Sequence, residues 1–285
     1  MQELRVCRYD AGAGARLGSV VGGRVYDLER CGALGGRGDQ STALADFLAG
    51  GSAAATAARQ ALAGVVQASS TEGVSGDPLA YRLEDVRLRA PIAPSTKVIC
   101  MGRTFESHVV IGGLEPHPKP TPFYKLTQMV VGPDDYVVLP KHHYPEPVVY
   151  GTELTVVIGK AGRSIAEERA EEYIWGYTVL NDVTMRGAYQ TVAKSFDTSA
   201  PVGPWIVPHD QIGDPHNLQL TFRLNGEQVQ EGNTRDLRFT VQAMVAESSK
   251  WVTLRPGDII ATGDVGATVP LQPGDVMEAE VEGIG

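Results

Sequence analysis

The stretch Tyr150-Gly-Thr-Glu-Leu-Thr-Val-Val-Ile-Gly159 says most about how this chain folds. It predicts a buried β-strand, because β-branched and apolar residues follow one another and a glycine ends the run. An acidic residue, Glu153, lies near the start of this strand, and a second apolar run that begins at Gly176 ends in Asp182. Carboxylates at the ends of buried strands indicate a site for a hard metal ion or for proton transfer.

Two later motifs add charged groups to this pattern. Lys194-Ser-Phe-Asp-Thr198 contains a lysine, and Ile260-Ala-Thr-Gly-Asp264 ends in a third carboxylate. The lysine and the third carboxylate would complete the candidate site for a hard metal ion or for proton transfer. We predict Lys194 and Asp264 to be catalytic residues of that site.

Composition indicates an ordinary globular protein. The chain has 285 residues, of which 42% are hydrophobic and 21% charged, which is enough to bury a sizeable core. Its formal net charge of −9 leaves no basic face for phosphates, so we expect no nucleic-acid partner. Three cysteines without CxxC spacing favour a reduced, cytoplasmic protein. We see neither a signal peptide nor an apolar run long enough to span a membrane.

Element patterns divide the chain in two. Residues 3–28 predict short strands with a turn at Gly22-Gly23, and residues 41–69 predict two helices that Gly50-Gly51 separates. Residues 70–80 are rich in Ser, Gly and Pro and predict a linker. We therefore predict a small N-terminal α+β domain with its linker over residues 1–80 and a larger domain over 81–285.

The larger part is rich in short strands between Gly and Pro turns, which predicts an α+β, β-rich protein with few helices. One helix is predicted from Ser164, whose capping-box partner would be Glu167. A second helix is predicted from Val241 to Trp251.

Taken in order, the motifs resemble the fumarylacetoacetate hydrolase (FAH) superfamily. The matching stretches are Ser95-Thr-Lys-Val-Ile-Cys-Met-Gly102, Phe123-Tyr-Lys125, Val131-Gly-Pro133, Tyr150 to Gly159, Asn181-Asp182, Lys194 to Trp205, Gly232-Asn-Thr234, Pro256 to Gly263 and Val281-Glu-Gly-Ile-Gly285. Each is modest alone, but the ordered set is specific. The resemblance implies an FAH-type mixed β-roll catalytic domain with its site at one mouth, a small-molecule substrate and a homodimer.

The resemblance also implies a divalent cation, Mg²⁺ or Mn²⁺, and no organic cofactor. Family members hold it with a Glu-x-Glu strand and an Asn-Asp strand end. Glu153 and Asp182 match as metal ligands, whereas the first Glu position is Gly151. Alternate strand residues face the same side, so Gly151 removes one ligand and weakens the site. Loss of the metal altogether stays open, as does compensation by His142, His143 or Glu146.

The family's second element is a His-x-x-Glu pair that acts on water. Gly102-Arg-Thr-Phe-Glu-Ser-His108 supplies the histidine, but the Glu position is Ile111. His108 is therefore predicted to be catalytic without the carboxylate of its own motif. Asp264 stands where the family has threonine, and it is expected either as an acid or base or as a replacement metal ligand.

The remaining matched positions are predicted to bind substrate. They are Arg103, Phe105, Ile111, Lys125, Met129, Tyr150, Arg186, Tyr189 and Thr198. Phe105, Ile111, Met129 and Tyr189 increase the apolar surface of the predicted mouth. Such a mouth favours a more hydrophobic, less charged substrate.

These departures favour a diverged enzyme that acts on a small β-dicarbonyl or enol-type metabolite. Isomerisation, dehydration, decarboxylation or cyclisation would fit, because these reactions need orientation and enolate stabilisation, not an activated hydroxide. The altered pocket suggests specialised metabolism. One alternative is a metal-dependent C–C hydrolase or oxo-acid decarboxylase of the acylpyruvate or fumarylacetoacetate type. Another is a non-catalytic homologue that binds a small molecule.

Overall fold

The computed structural model describes residues 2–34, 40–68, 78–93, 96–140, 146–267 and 269–285. The strands are β1 (Val6–Asp10), β2 (Ala15–Val21), β3 (Arg24–Asp27), β4 (Ala80–Arg82), β5 (Arg87–Arg89), β6 (Val98–Met101), β7 (Pro122–Lys125), β8 (Val130–Val131), β9 (Val148–Val149), β10 (Thr152–Ile158), β11 (Ile174–Asn181), β12 (Thr184–Met185), β13 (Ala200–Pro208), β14 (Gln219–Leu224), β15 (Glu227–Asn233), β16 (Ile259–Ala261) and β17 (Met277–Val281). The helices are α1 (Gln40–Ala49), α2 (Gly51–Gln67), α3 (Glu106–Gly112), α4 (Gln190–Lys194) and α5 (Val241–Trp251).

A 12-stranded mixed sheet organises the fold, with strand order β4-β3-β2-β1-β13-β11-β10-β16-β6-β7. β5 pairs with β1 and β8 pairs with β13 beside this path. A 3-stranded sheet, β15-β14-β17, and the short pair β12-β9 complete it. The α+β, β-rich class predicted from the sequence is confirmed.

The central strands are buried on both faces. Every residue of β10 and of β11 is buried. Along β10, Leu154 and Val156 belong to one hydrophobic cluster and Val157 to another on the opposite face. Side chains alternate along a strand, so Glu153 shares the face of Val157. A carboxylate thus lies at the edge of the core, within the strand that pairs with both β11 and β16.

The N-terminal residues join the same sheet and the same core. The turn at Gly22-Gly23 connects β2 and β3, and both glycines have positive φ, so that prediction is confirmed. The two helices predicted around Gly50-Gly51 are α1 and α2. Most of the predicted linker, residues 69–77, lies outside the described residues. The division at residue 80 stays a prediction.

The helix predicted from Ser164 is wrong in kind and in start. A 3-10 helix spans Glu167–Tyr173, preceded by Ala166, and Ser164 has φ 49. The helix predicted at Val241–Trp251 is α5. Among the described residues, no helix combines the length and apolarity needed to cross a membrane.

Candidate active site

Three carboxylates meet where β10 begins and its antiparallel neighbours β11 and β16 end. Glu153, Asp182 and Asp264 each place an oxygen within 4.8 Å of the others, and all three side chains are buried. Glu153 lies in β10, Asp182 follows β11 directly, and Asp264 comes three residues after β16. The pairing of β10 with both neighbours brings these positions to one point.

The loop after β16 is held against β10 by hydrogen bonds. Thr262 donates from its backbone N and its Oγ1 to the carbonyl of Leu154, at 2.9 and 3.0 Å. The backbone N of Gly263 donates to Glu153 Oε2 at 2.7 Å. Thr104 Oγ1, near α3, donates to the carbonyl of Thr262 at 2.6 Å. These contacts fix Glu153 and the start of the Asp264 turn relative to each other.

Two lysines flank Asp182. Lys194, at the end of α4, donates to Asp182 Oδ2 and, at 2.7 Å, to Thr184 Oγ1. Lys125, at the end of β7, places Nζ 2.9 Å from Asp182 Oδ1. Burial opposes the ionisation of Asp182, but Lys125 and Lys194 outweigh it and lower the pKa of this carboxyl to about 2. Asp182 is therefore an anion at every ordinary pH.

Among the described residues, one oxygen of Asp182 nevertheless has no hydrogen-bond donor. Lys125 Nζ directs hydrogen bonds to the carbonyls of Val183, Lys194 and Ser199, at 3.0, 2.6 and 2.9 Å. An ammonium group has only three protons, so none is left for Asp182 Oδ1. Within the described residues this buried oxygen has no hydrogen-bond partner. A buried carboxylate oxygen without a donor is what a metal ion would satisfy.

Asp264 occupies the space beside Gly151. A β-carbon added to Gly151 would lie 2.5 Å from Asp264 Cγ and 2.7 Å from its Oδ2. Asp264 Oδ1 accepts from the backbone N of Gly266 at 2.6 Å and lies 3.4 Å from Gln230 Nε2. The carboxylate that the sequence lacks at position 151 is thus matched by a carboxylate from another element.

His108 in α3 contacts the same aspartate. Its Nδ1 lies 3.3 Å from Asp264 Oδ1 and 3.3 Å from the Asp264 carbonyl. Burial lowers the pKa of His108, but the charge and hydrogen bond of Asp264 outweigh burial and raise it overall. Ile111, at the position of the family's glutamate, is 44% exposed and cannot form an ion pair. Asp264 is therefore the carboxylate that pairs with His108.

The donor set fits a hard divalent cation. Mg²⁺ and Mn²⁺ take oxygen ligands, and the three buried carboxylates supply them; within the described residues Asp182 Oδ1 accepts no hydrogen bond. Burial and the charges of Asp182 and Asp264 raise the pKa of Glu153 well above its usual value. A cation between the carboxylates would remove this repulsion, so the residues match the predicted Mg²⁺ or Mn²⁺ cofactor.

The predicted substrate-binding residues lie in different surroundings. Phe105 is fully buried in the main core cluster, so the structure places it in the core and not on a pocket surface. Tyr150 is also buried and stacks on Phe222 with ring centroids 3.9 Å apart. Lys125 contacts Asp182 and backbone carbonyls, so it supports a site carboxylate. Met129 is half-buried.

Four other positions are more open. Tyr189 is 90% exposed at the start of α4, and Arg186 donates to the Ala267 carbonyl at 2.7 Å. Arg103 donates to the Glu115 carbonyl, and Thr198 accepts from the Val138 backbone N. Substrate binding stays a prediction for the four open positions, Arg103, Arg186, Tyr189 and Thr198.

The sequence also suggested other groups that could compensate for Gly151. Of these, Glu146 is exposed, and His142 and His143 lie outside the described residues.

Sequence reasoning missed two residues that hold the site together. Gln230 in β15 accepts from the Thr152 backbone N at 3.0 Å and donates to the Gly266 carbonyl at 3.0 Å. Thr184 accepts from Lys194. Gln230 is a buried glutamine in an exposed-looking strand, Glu-Gln-Val-Gln-Glu, and no spacing in that stretch distinguishes it from Gln228.

Comparison with known protein families identifies the family of this chain. The family model described as fumarylacetoacetate (FAA) hydrolase C-terminal matches residues 97–285. The chain belongs to this family. The expectation drawn from the ordered motifs is confirmed, and the matched region contains all of the carboxylates and lysines of the site.

Several relatives carry the name oxaloacetate tautomerase. The mitochondrial oxaloacetate tautomerase fahd2 of Xenopus laevis is 38% identical over 215 residues, which cover 70% of this chain and 67% of the relative. The mitochondrial Fahd2a of Rattus norvegicus is 35% identical over 282 residues, covering 94% of this chain and 84% of the relative. Relatives thus include enzymes named for isomerase-type chemistry.

Solved structures of the family are similar over nearly the whole chain. Maleylpyruvate hydrolase from Sphingobium sp. SYK-6, in complex with manganese(II) and pyruvate, has a TM-score of 0.80 at 30% identity, covering 99% of this chain and 96% of that one. The 5-carboxymethyl-2-hydroxymuconate delta-isomerase from Mycobacterium smegmatis has a TM-score of 0.73 at 28% identity, covering 99% and 96%. Hydrolases and isomerases therefore share this fold.

Proposed function

We propose that this protein is a divalent-metal-dependent tautomerase that interconverts the keto and enol forms of a small 2-oxo acid. The observation that carries the proposal is the contact of His108 with Asp264 beside Glu153, Asp182 and Lys194. This set can move a proton and stabilise an enolate. Tautomerisation moves one proton from carbon to oxygen and needs no attacking water. The relatives named oxaloacetate tautomerase support the same reaction class.

Charge favours an acidic substrate at this site. With all three carboxylates ionised, as metal ligands are, and with Lys125 and Lys194 charged, the site has a net charge of −1 when His108 is neutral. A divalent cation would change this to +1, which attracts a substrate that carries a carboxylate. The low-dielectric surroundings strengthen that attraction. The more hydrophobic, less charged substrate expected from the sequence is therefore the less favoured class.

The role of each charged residue follows from the nitrogen atom or proton that its protein contacts leave available. His108 Nδ1 faces Asp264, so Nε2 is the ring nitrogen that can exchange a proton with the substrate. Lys194 uses two of its three protons on Asp182 and Thr184, which leaves the third for an enolate oxygen. A cation held by Glu153, Asp182 and Asp264 would polarise the substrate carbonyl as a Lewis acid.

The test is an assay in which Mn²⁺-loaded protein is mixed with the enol form of oxaloacetate and the decay of the enol absorbance is measured. We expect the wild type to accelerate this decay. His108→Ala should lower kcat by about 100-fold or more, the usual contribution of a positioned acid or base. Lys160→Met, which changes an exposed lysine paired with Glu172, is the matched control and should leave the rate unchanged. Acceleration that survives a chelator, or that His108→Ala leaves intact, would contradict the proposal.

A second candidate is hydrolysis of an acylpyruvate. The similarity to the maleylpyruvate hydrolase that binds manganese and pyruvate favours it. Hydrolysis needs an activated water, for which His108 with Asp264 is the available pair of groups in the described site. Release of pyruvate from an acylpyruvate, without acceleration of oxaloacetate tautomerisation, would decide for this reading. The homodimer, the cytoplasmic location and a place in specialised metabolism stay predictions.

A further inference from the structure

We infer that Asp264 takes over two carboxylate roles at once: it replaces the metal ligand absent at position 151, and it is the positioning residue for His108. The inference rests on the proposed function for its catalytic part only. Its metal-binding part depends on the geometry of Gly151, Asp264 and the two other carboxylates.

A side chain at position 151 would clash with the side chain of Asp264. A β-carbon on residue 151 would lie 2.5 Å from Asp264 Cγ, 2.7 Å from its Cβ and 2.7 Å from its Oδ2, distances that real β-carbons do not show. The backbone of Gly151 is held on both sides. Its N donates to Asn181 Oδ1 at 3.2 Å, and its carbonyl accepts from the Asp182 N at 2.9 Å. Glycine at 151 therefore leaves the space that the Asp264 side chain occupies.

The carboxylate of Asp264 is fixed with one oxygen turned towards Gly151. The contacts that the described residues make with the carboxylate converge on Oδ1, from the Gly266 N, from Gln230 Nε2 and from His108 Nδ1. Oδ2 is the oxygen beside Gly151. A strand residue at 151 would face the same side as Glu153, so Oδ2 lies where a ligand from that strand position would enter the cluster.

This arrangement joins the metal cluster directly to α3. Asp264 contacts His108 through Oδ1 and borders the carboxylate cluster through the rest of its side chain. Ile111 packs against the same turn, because a β-carbon on Gly266 would lie 3.2 Å from Ile111 Cδ1. A substitution at 264 should therefore change both metal affinity and the orientation of the imidazole, whereas a substitution at 108 should change turnover alone.

Calorimetric titration of chelator-stripped protein with Mn²⁺ tests the ligand role. Asp264→Asn keeps the side-chain volume and removes the charge. Loss of a group that supports a metal ligand lowers metal affinity by roughly 10- to 100-fold, and loss of a ligand should cost at least as much. We therefore expect Asp264→Asn to weaken Mn²⁺ binding by at least that factor. Gly151→Glu should lose binding and lower the Tm of the metal-free protein by roughly 2–12 °C, because the new side chain overpacks against Asp264.

The double variant Gly151→Glu/Asp264→Gly tests the exchange itself. Glycine at 264 removes both of the carbon atoms that would clash, so the glutamate can enter. We expect the double variant to bind Mn²⁺ more tightly than Gly151→Glu alone or Asp264→Gly alone. It should also regain Tm relative to Gly151→Glu, a non-additive result that contacting residues give. Its kcat should stay low, because His108 has lost its partner. His108→Ala is the control, with wild-type Mn²⁺ affinity and low turnover.

Failure of this inference differs from failure of the proposed function. Wild-type Mn²⁺ affinity in Asp264→Asn would overturn the ligand role, and additive effects in the double variant would overturn the exchange. Full kcat in the double variant would overturn the positioning role. If no variant and no wild-type protein tautomerised oxaloacetate, yet Mn²⁺ binding followed the expected order, the proposed function would fail and the ligand exchange would stand.

Discussion

Lys125 is a buried cation that supports the site through Asp182. Its side chain has no exposed surface, and its ammonium group contacts three backbone carbonyls and Asp182. A buried ammonium is stable only where such acceptors surround it. Lys125 therefore acts both as a structural anchor between β7 and the loop after β11 and as one of the two cations that keep Asp182 ionised.

We expect Lys125→Met to destabilise the metal-free protein by roughly 3–5 kcal/mol, because it leaves buried acceptors and a buried carboxylate without their cation. Denaturant unfolding monitored by circular dichroism measures this loss. Lys160→Met is the matched control, since Lys160 is exposed and pairs with Glu172 at 3.6 Å. It should cost less than about 1 kcal/mol. Equal losses in the two variants would show that the buried contacts of Lys125 contribute little.

Sequence reasoning found most of the charged residues but not their partners. Glu153, Asp182, Lys194, His108 and Asp264 were named from motif positions, and the structure brings them together. The sequence offered Asp264 and Glu146 as carboxylates that could compensate for Gly151, but it could not choose between them. Gly151 and Asp264 are far apart in sequence, and the pairing of β10 with β16 brings the Asp264 side chain beside the backbone of Gly151.

At the scale of elements, α5 has the clearest local cause. Thr240 precedes the helix with extended backbone angles, and its Oγ1 accepts from the Ala243 N at 3.0 Å. This is an N-cap, so we expect Thr240→Ala to cost about 1 kcal/mol in the free energy of unfolding. Thr240→Ser keeps the acceptor and should recover most of it. A serine variant as unstable as the alanine variant would contradict the capping role.

The segment that begins at Ser164 shows why a similar capping pattern in the sequence predicted the wrong structure. Ser164 and Glu167 have capping-box spacing, yet Ser164 has positive φ and donates its backbone N to the Ser249 carbonyl at 2.9 Å. The next turn is a 3-10 helix packed against α5. A tertiary contact with α5 therefore replaces the local cap. Sequence patterns predict elements well where their own residues satisfy the backbone, as in α5, and poorly where a distant element does so.

At the scale of the whole molecule, the N-terminal part and the larger part share one core. β1 pairs with β13, with Val6 opposite Ile206. Phe47 of α1 lies against Trp175 of β11, with ring centroids 5.7 Å apart. One hydrophobic cluster contains residues from both parts. This sharing predicts that neither part is stable alone, although the sequence suggested a boundary at residue 80.

Unfolding of the full chain and of a shorter fragment tests this coupling. We expect the full chain to unfold in a single transition by circular dichroism and tryptophan fluorescence, because Trp175 reports on the shared core. A fragment of residues 81–285 should lack a cooperative transition, because the β13 edge and the apolar face around Trp175 lose their cover. A fragment that unfolds cooperatively near the Tm of the full chain would instead support two independent domains.

Acid stability is a further property of the whole molecule, and it depends on Asp27 in the N-terminal part. Burial raises the pKa of Asp27, but Arg16, Tyr9 and the backbone N of Arg30 outweigh burial and lower it overall. Tyr9 donates to Asp27 Oδ2 at 2.6 Å, and Arg16 Nε donates to the same oxygen at 2.5 Å. A carboxyl with a lowered folded pKa stabilises the fold above its unfolded pKa of about 3.9.

That contribution is lost as the pH falls from about 4 through the folded pKa of Asp27. We therefore expect Asp27→Asn to be less stable than the wild type at neutral pH and to lose less stability than the wild type between pH 4 and the folded pKa. Denaturant unfolding at a series of pH values measures how the free energy of unfolding of each protein changes with pH. Asp46→Asn, in α1, is the matched control and should keep the wild-type dependence of stability on pH.

Parallel pH curves for wild type and Asp27→Asn would show that the charge of Asp27 does not support the N-terminal strands. A flattened curve for Asp27→Asn, together with a single transition at every pH, would show that the ion pair of β2 and β3 stabilises the core that also carries the active site.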